Sequence, residues 1–303
     1  MKYLCTLSDK NFLAKGLALY KSLAVTGKEP FRLYYLTIDQ ESFETLSGLE
    51  VFLSNIGTGG HSIIPVSLLE LEKEKEELRT ARADRPYNEY CWTLASYFCH
   101  HLLNHENIDH ITYIDSDIFF YNDIDLVYKE FGTRSVGLIT HRHNSLGDSD
   151  GAYNVGVIYF KNDKPGQDCL FWWKDAVLNK KYSQYFGCGD QRYLEGFVPL
   201  IGAENVCTTD NSYGHGAPWN YRLYGWDKFL TNNIILWGDK EQMFVFNHFS
   251  RLSYDLETDK IDYTSGCYSG HTLNHEVFKI EAIKKLYDDY CIILKNIHMT
   301  WLK

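Results

Sequence analysis

The first forty residues alternate between short apolar runs and one stretch of helical spacing. Residues 2–6 (KYLCT) have the pattern of a buried strand, which ends in the polar turn 8–11 (SDKN). Apolar side chains then recur at near-helical intervals to about Val25, and Gly27 marks the end of that helix. Residues 31–38 (FRLYYLTI) have the next strand pattern. Strand, helix and strand in this order predict the start of a parallel α/β sheet.

The rest of the chain continues this alternation without a long linker, a repeat or a low-complexity tract. Ser67 and Glu70 have capping-box spacing, so the charged run over residues 70–79 is predicted to be a solvated surface helix. Further strand patterns occupy residues 111–114, 118–121, 136–140, 153–160 and 205–208, and a hairpin pattern occupies 234–237 and 243–247. Further helical patterns occupy residues 89–104, 165–178 and 276–294. We predict one domain over residues 1–255 and a helical appendage over residues 256–303.

Composition narrows the class of protein. The chain has 303 residues, 45% of them hydrophobic and 23% charged, which is typical of a globular protein and excludes a disordered or collagen-like chain. The aromatic share of 16% is high and suits either a cleft lining or a large core. The formal net charge of −10 opposes non-specific contact with DNA or RNA, so we expect no nucleic-acid partner.

The cysteines and the hydrophobic runs predict a cytoplasmic protein. The eight Cys form no C-x-x-C pair and lie mostly in apolar stretches, which favours reduced, buried thiols. The N-terminal residues lack the pattern of a signal peptide, and no apolar run reaches the ~18 residues of a membrane span. The helix predicted over residues 276–294 has an apolar stripe and a mixed polar face. That mixture favours packing on the domain, with peripheral docking at the inner face of a membrane as the alternative.

Two carboxylates, Asp115 and Asp117, follow directly after the buried strand pattern at 111–114. In open α/β sheets, ligands bind beyond the carboxyl ends of the strands, and paired carboxylates there can hold a hard cation such as Mg²⁺ or Mn²⁺. The alternative is that the two residues only cap the next turn. The same spacing occurs at Asp123/Asp125, where a helix cap is favoured, and at Asp148/Asp150, in a polar loop without a preceding strand.

Three further features are candidates for chemistry. His248 follows the apolar run 243–246 and offers a neutral imidazole to Mn²⁺ or Zn²⁺, or is a core histidine with one hydrogen bond. Asn154 lies beside Gly156 in a strand pattern, where either a ligand approaches the backbone or a bulge forms. The Gly-rich segment 187–191 (GCGDQ) contains Asp190, which a helix N-cap would also explain, and the polar Gln191.

In this order the motifs resemble glycosyltransferases of the GT-A fold, near family 8, which includes glycogenin and bacterial lipooligosaccharide galactosyltransferases. The resemblance covers almost the whole chain. It begins with the N-terminal strand, its T-x-S-D turn and the A-K-G that follows. The family's Y-x-D-x-D, F-N-x-G-V/L and G-D-Q motifs then match residues 113–117, 153–157 and 189–191, and His248 matches its C-terminal metal-binding histidine. The implied fold is a Rossmann-like α/β domain with a mixed, mostly parallel sheet flanked by helices and a C-terminal helical appendage.

The sequence departs from that family after His248. Phe249-Ser250-Arg251 replaces H-x-x-G-x-x-K-P-W, so the lysine that contacts the diphosphate in the family has only Arg251 as a candidate replacement. The segments 89–93 (EYCWT) and 217–220 (APWN) resemble an uncharacterised bacterial branch that is similar to surface-polysaccharide transferases.

The resemblance implies a role for each matched residue. Metal ligands for Mn²⁺ or Mg²⁺ would be Asp115, Asp117 and His248. Contacts to the nucleotide and its diphosphate would come from Thr6, Ser8, Asp9, Asn11, Phe12, Arg85 and Ser116, with Phe12 as a stacking face. Contacts to the donor sugar near its anomeric carbon would come from Asn154, Asp190 and Gln191.

The implied function is a metal-dependent retaining glycosyltransferase that moves a sugar from a nucleotide-diphosphate sugar, a UDP-sugar by resemblance, to a saccharide or lipid-linked acceptor in surface-polysaccharide synthesis. One alternative is a metal-dependent phosphohydrolase or nucleotidyltransferase. Such nucleotidyltransferases usually have a Gly-rich, basic N-terminal loop, whereas residues 6–11 contain no Gly and one Lys. The other alternative is a non-catalytic sugar-binding protein, which usually lacks one of the metal ligands.

Overall fold

The computed structural model describes residues 1–56, 59–142, 151–181, 189–255, 258, 260–262 and 277–302. The Asp148/Asp150 pair, Gly187 and Cys188 lie outside the described residues. The strands in chain order are β1 Lys2–Ser8, β2 Phe31–Thr37, β3 Ser62–Ser67, β4 His110–Ile114, β5 Ile118–Phe120, β6 Val136–Thr140, β7 Tyr153–Lys161, β8 Val206–Cys207, β9 Gly214–Gly216, β10 Tyr224–Gly225, β11 Ile234–Trp237, β12 Lys240–His248, β13 Ser253–Asp255 and β14 Lys260–Asp262. The helices are α1 Leu13–Thr26, α2 Gln40–Ile56, α3 Leu68–Glu74, α4 Glu76–Asp84, α5 Tyr87–His105, α6 Asp125–Phe131, α7 Lys164–Leu178, α8 Phe197–Ile201, α9 Phe229–Asn232 and α10 Glu281–Ile297.

A seven-stranded sheet in the order β3-β2-β1-β4-β7-β6-β8 forms the centre of the molecule. The pairs β1–β2, β2–β3, β1–β4 and β6–β8 are parallel, and β7 runs antiparallel between β4 and β6. The predicted mixed, mostly parallel sheet is therefore confirmed. A second sheet, β10-β11-β12-β5 with β9 beside β12, lies next to it.

Both faces of the central sheet are covered, which is why its strands read as continuous apolar runs. Successive residues of a strand point to opposite faces, so Leu4 joins one apolar cluster and Cys5 the other. The first cluster includes buried side chains of α1, α10 and the second sheet. The other is built largely from α5 and α7.

The prediction of one surface helix over residues 70–79 is wrong in one respect, because this range contains parts of two helices. Ser67 accepts a hydrogen bond from the Glu70 amide, as the capping box predicts, but α3 ends at Glu74 and α4 begins at Glu76. The guanidinium of Arg79 donates to the carbonyls of Glu72 and Lys73, which are left without helical partners at the end of α3.

The C-terminal helix packs on the domain. Side chains at near-helical spacing along α10 are buried in the first cluster, and these are Ile283, Leu286, Tyr287, Tyr290 and Leu294. The ring of Phe249 stacks on Tyr290, with ring centres 3.8 Å apart. The favoured packing of this helix is confirmed, while the division at residue 255 stays a prediction. Among the described residues, no helix combines the length and the apolar character that crossing a membrane requires.

Candidate active site

Asp115 and Asp117 lie just beyond the carboxyl end of β4. The Asp115 amide donates to the Gly156 carbonyl at 2.9 Å, which extends the β4–β7 pairing by one residue. The Tyr113 hydroxyl donates to Oδ1 of Asp115 at 2.9 Å. By contrast, Asp123 accepts a hydrogen bond from the Asp125 amide at the start of α6, in a local turn, whereas the N-cap of that helix is Ile124 and no side chain caps it, so the predicted N-cap pair is not formed.

His248 reaches the two carboxylates through strand pairing. It is the last residue of β12 and lies opposite Ile118 of β5, and the Phe249 amide donates to the Asp117 carbonyl. The Nε2 atom of His248 is 3.0 Å from Oδ1 of Asp117 and 3.7 Å from Oδ2 of Asp115. One ligand atom from each of the three residues lies within 4.8 Å of the others, and this is the one such group in the part of the chain that the structure describes. Two carboxylates and an imidazole form a donor set that fits Mn²⁺ or Mg²⁺.

In this cluster three ionisable groups interact, of which Asp117 and His248 are buried and Asp115 is partly exposed. Burial is the largest single influence on each pKa and disfavours the charged forms. The carboxylate charges, mainly that of Asp117, nevertheless raise the pKa of His248, and His248 lowers the pKa of Asp117. The pKa of Asp115 is raised, because burial and the charge of Asp117 outweigh the influence of His248. A divalent cation would relieve the repulsion between the two carboxylates.

Gly156 allows the imidazole of His248 to approach β7. A Cβ at position 156 would lie 2.5 Å from Oδ1 of Asn154 and 3.0 Å from Nδ1 of His248. The same Oδ1 of Asn154 accepts a hydrogen bond from the Gly156 amide at 2.8 Å. The Nδ2 of Asn154 donates to Oε1 of Gln191 at 2.9 Å, so the N-x-G and G-D-Q motifs are in direct contact. The glycine therefore serves the packing of the site, and Asn154 links its two walls.

Asp190 is 4% exposed, and its carboxylate makes no capping hydrogen bond to the 3-10 helix Gln191–Gly196 that follows it. A helix cap therefore does not account for the residue. Burial, and secondarily the charge of Asp115, raise the pKa of Asp190 well above its usual range. Its backbone carbonyl accepts a hydrogen bond from Trp173, which fixes the loop against α7.

These residues surround one cavity of about 530 Å³, here called the central cavity. The predicted residues that line it are Ser8, Asp9, Phe12, Asp115, Ser116, Asp117, Asn154, Asp190, Gln191 and His248. The structure thus brings together the ends of β1, β4, β7 and β12 with the loop before the 3-10 helix. Arg251, which has a left-handed backbone (φ +58°), also lines the cavity.

Three predicted contacts lie outside the lining of the central cavity. Thr6 is fully buried within β1. Asn11 donates from its backbone and its side chain to the carboxylate of Asp9, so it supports a lining residue. Arg85 lies in a separate cavity, where its guanidinium donates to Thr93 and to the Leu178 carbonyl at the end of α7. The prediction that Arg85 reaches the diphosphate or the sugar is not supported by this position, because its charge serves to join α4, α5 and α7.

Sequence reasoning missed several lining residues. The aromatic ones are Tyr87, Trp92 and Trp219, and the polar ones include Asn88, His141 and Ser250. His141 donates from Nδ1 to the Gly151 carbonyl at 2.7 Å and lies 3.3 Å, through Nε2, from Nδ2 of Asn154. Trp92 and Trp219 fall in the two segments that depart from the family pattern, and that departure is the signal in the sequence that could have found them.

The fold is that of the GT-A glycosyltransferases. It is similar to mouse xyloside xylosyltransferase 1 in its apo form, with a TM-score of 0.54 and 13% identity over 82% of this chain and 97% of that chain. It is also similar to the galactosyltransferase LgtC in complex with donor and acceptor sugar analogs, with a TM-score of 0.53 and 16% identity over 82% of this chain and 87% of that chain. The resemblance drawn from the motifs is thereby confirmed at the level of fold.

Sequence comparison gives the family. The chain is 31% identical to the uncharacterised protein YfnF of Bacillus subtilis (strain 168) over 264 residues, which cover 81% of this chain and 80% of YfnF. It is 27% identical to the uncharacterised protein YfnD of the same strain over 280 residues, or 88% of this chain and 81% of YfnD. The chain belongs to the family of YfnF. It matches no protein-family model.

Proposed function

We propose that this protein is a metal-dependent, retaining glycosyltransferase that uses a nucleotide-diphosphate sugar, with UDP as the nucleotide. The observation that carries the proposal is the cluster of Asp115, Asp117 and His248 on the wall of the central cavity, at the carboxyl end of β4. These residues would hold Mn²⁺ or Mg²⁺. The ion, when bound, would supply positive charge that stabilises the leaving diphosphate.

The nucleoside half of the cavity is proposed to lie at the end of β1. Ser8 and Asp9 line the cavity there, and Phe12, 43% exposed, offers an aromatic face. Ser8 is fixed by a 2.6 Å hydrogen bond between its Oγ and the Tyr35 hydroxyl. The Asp9 carboxylate is held by the Tyr87 hydroxyl at 2.9 Å and can accept hydrogen bonds from a ribose. A rigid polar edge beside an aromatic face suits a nucleoside.

The sugar half is proposed to lie at Asp190, Asn154 and Gln191. Cleavage of the sugar–phosphate bond builds positive charge at the anomeric carbon, and a carboxylate on the ring face stabilises it. Asp190 has the burial and position for that role, while Gln191 and Asn154 orient the sugar through their shared hydrogen bond. Arg251 is the candidate cation for the diphosphate, in place of the family's lysine.

The acceptor is proposed to be a saccharide or a lipid-linked saccharide, and the setting the cytoplasm, with surface-polysaccharide synthesis as the process. Support for the compartment comes from the thiols. Within the described part of the chain no disulfide joins the cysteines, which are Cys5, Cys91, Cys99, Cys169, Cys207 and Cys291. The apolar stripe of α10 is buried in the first cluster, so this helix does not offer that stripe to a membrane surface.

Product analysis tests the proposal. The purified protein is incubated with a panel of nucleotide sugars and saccharide acceptors, with and without Mn²⁺, and products are identified by mass spectrometry. We expect sugar transfer, or slow donor hydrolysis without an acceptor, only with the metal. Release of inorganic phosphate or exchange of pyrophosphate would instead support a phosphohydrolase or nucleotidyltransferase. Binding of sugars without turnover would support a non-catalytic protein.

A further inference from the structure

Helix α5 carries two exposed aromatic rings on the wall of the central cavity. Tyr87 is 54% exposed and Trp92 40% exposed, and both line the cavity together with Cys91 and Ala95 of the same helix. Single exposed aromatic residues are common on protein surfaces, so exposure alone indicates little. Their positions relative to the two halves of the cavity are more informative.

The two rings contact residues in opposite halves of the central cavity. The Tyr87 hydroxyl donates to Asp9, in the proposed nucleoside half. Trp92 lies against Gly189, where a Cβ would be 2.5 Å from Cδ2 of the indole ring. Gly189 also has a left-handed backbone (φ +61°), which a side chain would strain. The indole therefore rests on the peptide that leads directly into Asp190 and Gln191.

We propose that Trp92 is the stacking platform for a pyranose ring, either the sugar of the donor or the sugar of the acceptor that receives it. This inference rests on the function proposed above. One face of a pyranose presents C–H groups and packs well on a flat indole, while its hydroxyls at the ring edge need polar partners. Asp190, Gln191 and Asn154 supply such partners around the same cavity.

A nucleobase also stacks on aromatic rings, but the nucleoside half already contains Phe12 beside Asp9, and Tyr87 is tied to that carboxylate. Gly189, which the ring of Trp92 contacts, directly precedes Asp190. The ring therefore lies at the sugar half of the cavity. Trp92 accordingly contributes to the binding of sugar and not to that of the bare nucleotide.

The test separates the parts of the substrate. Calorimetry measures the affinity of wild-type protein, Trp92→Ala and Trp92→Phe for UDP with Mn²⁺ and for UDP-glucose and UDP-galactose with Mn²⁺, and KM is measured for a panel of methyl glycosides as acceptors. Trp301→Ala is the matched control, because Trp301 is 38% exposed and packs on Phe52, outside the lining of the central cavity. Alanine is well tolerated at an exposed helical position such as 92.

We expect Trp92→Ala to leave the affinity for UDP within about twofold of wild type. Either the affinity for the UDP-sugar should fall or the KM for the acceptor should rise, in each case by about tenfold, the usual scale of an aromatic contact. Loss of the extra affinity of the UDP-sugar over UDP identifies the donor sugar, and a raised acceptor KM identifies the acceptor. Trp92→Phe should retain most of the wild-type sugar binding, because it keeps an aromatic face at this position.

A parallel loss of UDP affinity, no change in any quantity, or an equal effect of Trp301→Ala would overturn the assignment of Trp92 while leaving the transferase proposal intact. Failure of the wild-type protein to bind UDP and every UDP-sugar would contradict the proposed function, and this inference with it.

Discussion

At the scale of single residues, Asp190 has the most informative environment. Its carboxylate is buried, carries no helix-capping role and lies close enough to Asp115 for the two charges to interact. Such a group is costly in the folded state, and costly polar groups concentrate where a ligand compensates for them. The chemical role of this carboxylate and its cost to stability can each be measured.

Asp190→Asn should lower turnover by about 10²-fold or more with donor affinity little changed, because the lost charge matters most in the transition state. Gln191→Ala is the comparison and should lower turnover less, since a neutral amide only positions the sugar. Steady-state kinetics and donor titrations measure both. Near wild-type turnover of Asp190→Asn would remove the carboxylate from the mechanism.

The same Asp190→Asn variant should be more stable than wild type at neutral pH. A carboxyl whose pKa is raised on folding loses stability as the pH rises from its unfolded value, near 4, towards its folded value, so the difference should be absent near pH 4 and grow towards pH 7. Asn avoids the cost of ionisation. We expect a rise in Tm of roughly 2 °C or more at pH 7, the effect of about 1 kcal/mol in a chain of this size. If the variant and the wild-type protein had the same Tm at both pH values, burial would not destabilise the Asp190 carboxylate.

At the scale of elements, the site depends on how strands and loops meet. The sequence predicted correctly that Asp115 and Asp117 follow a buried strand, because an apolar run followed by D-S-D is a local pattern. His248 is different, since its position beside Asp117 results from pairing between β5 and β12, which are more than 100 residues apart in the chain.

Arg85 shows the limit of local reasoning most clearly. Its partner at the end of α7, the Leu178 carbonyl, is 93 residues away, so the sequence gives no local indication of the contact.

Gly156→Ala tests the contact between β7 and the imidazole. The added methyl group would lie 2.5 Å from Oδ1 of Asn154 and 3.0 Å from Nδ1 of His248, so both the Asn154 amide and the imidazole should shift. We expect Mn²⁺ affinity to fall by about tenfold or more, the scale found for groups that orient metal ligands. Isothermal titration with Mn²⁺ measures this.

Gly48→Ala is the control for that experiment, because a methyl group added at position 48 of α2 would meet nothing within 4 Å. It should leave Mn²⁺ affinity unchanged and raise stability by up to about 1 kcal/mol. Unchanged metal affinity in Gly156→Ala would argue against His248 as a ligand.

At the scale of the whole molecule, the alternation of strands and helices predicted the central sheet, because a sheet covered on both faces has a clear apolar signature. The antiparallel insertion of β7 between β4 and β6 is a matter of long-range pairing, which periodicity does not encode. The pairing nonetheless shapes the candidate site, since it brings Asn154 and Gly156 to the acidic pair.

Truncation after Gly270 should prevent stable folding, because it removes α10 from the core. Burial of one large apolar side chain contributes about 1.5–3 kcal/mol, so the five buried side chains of the stripe contribute on the order of 10 kcal/mol, close to the ~5–15 kcal/mol of a whole domain. Circular dichroism melting of the truncated and full chains measures the effect. A deletion of residues 298–303, outside α10, is the control and should melt much like the full chain. Cooperative melting of the protein truncated after Gly270 would mean that α10 is a separable appendage.

In the proposed function, Asp115, Asp117 and His248 bind a divalent ion that links the protein to a nucleoside diphosphate. The most direct measurement is the thermal shift caused by UDP with Mn²⁺ in wild-type protein and in the double variant Asp115→Asn with Asp117→Asn. The double variant Asp123→Asn with Asp125→Asn is matched in spacing and charge and lies at the start of α6, outside the lining of the central cavity. We predict a shift in wild-type protein and in the matched variant, and none with Asp115 and Asp117 replaced, although that protein still melts cooperatively. A full shift in the Asp115/Asp117 variant would contradict the account, because the ion would then bind elsewhere.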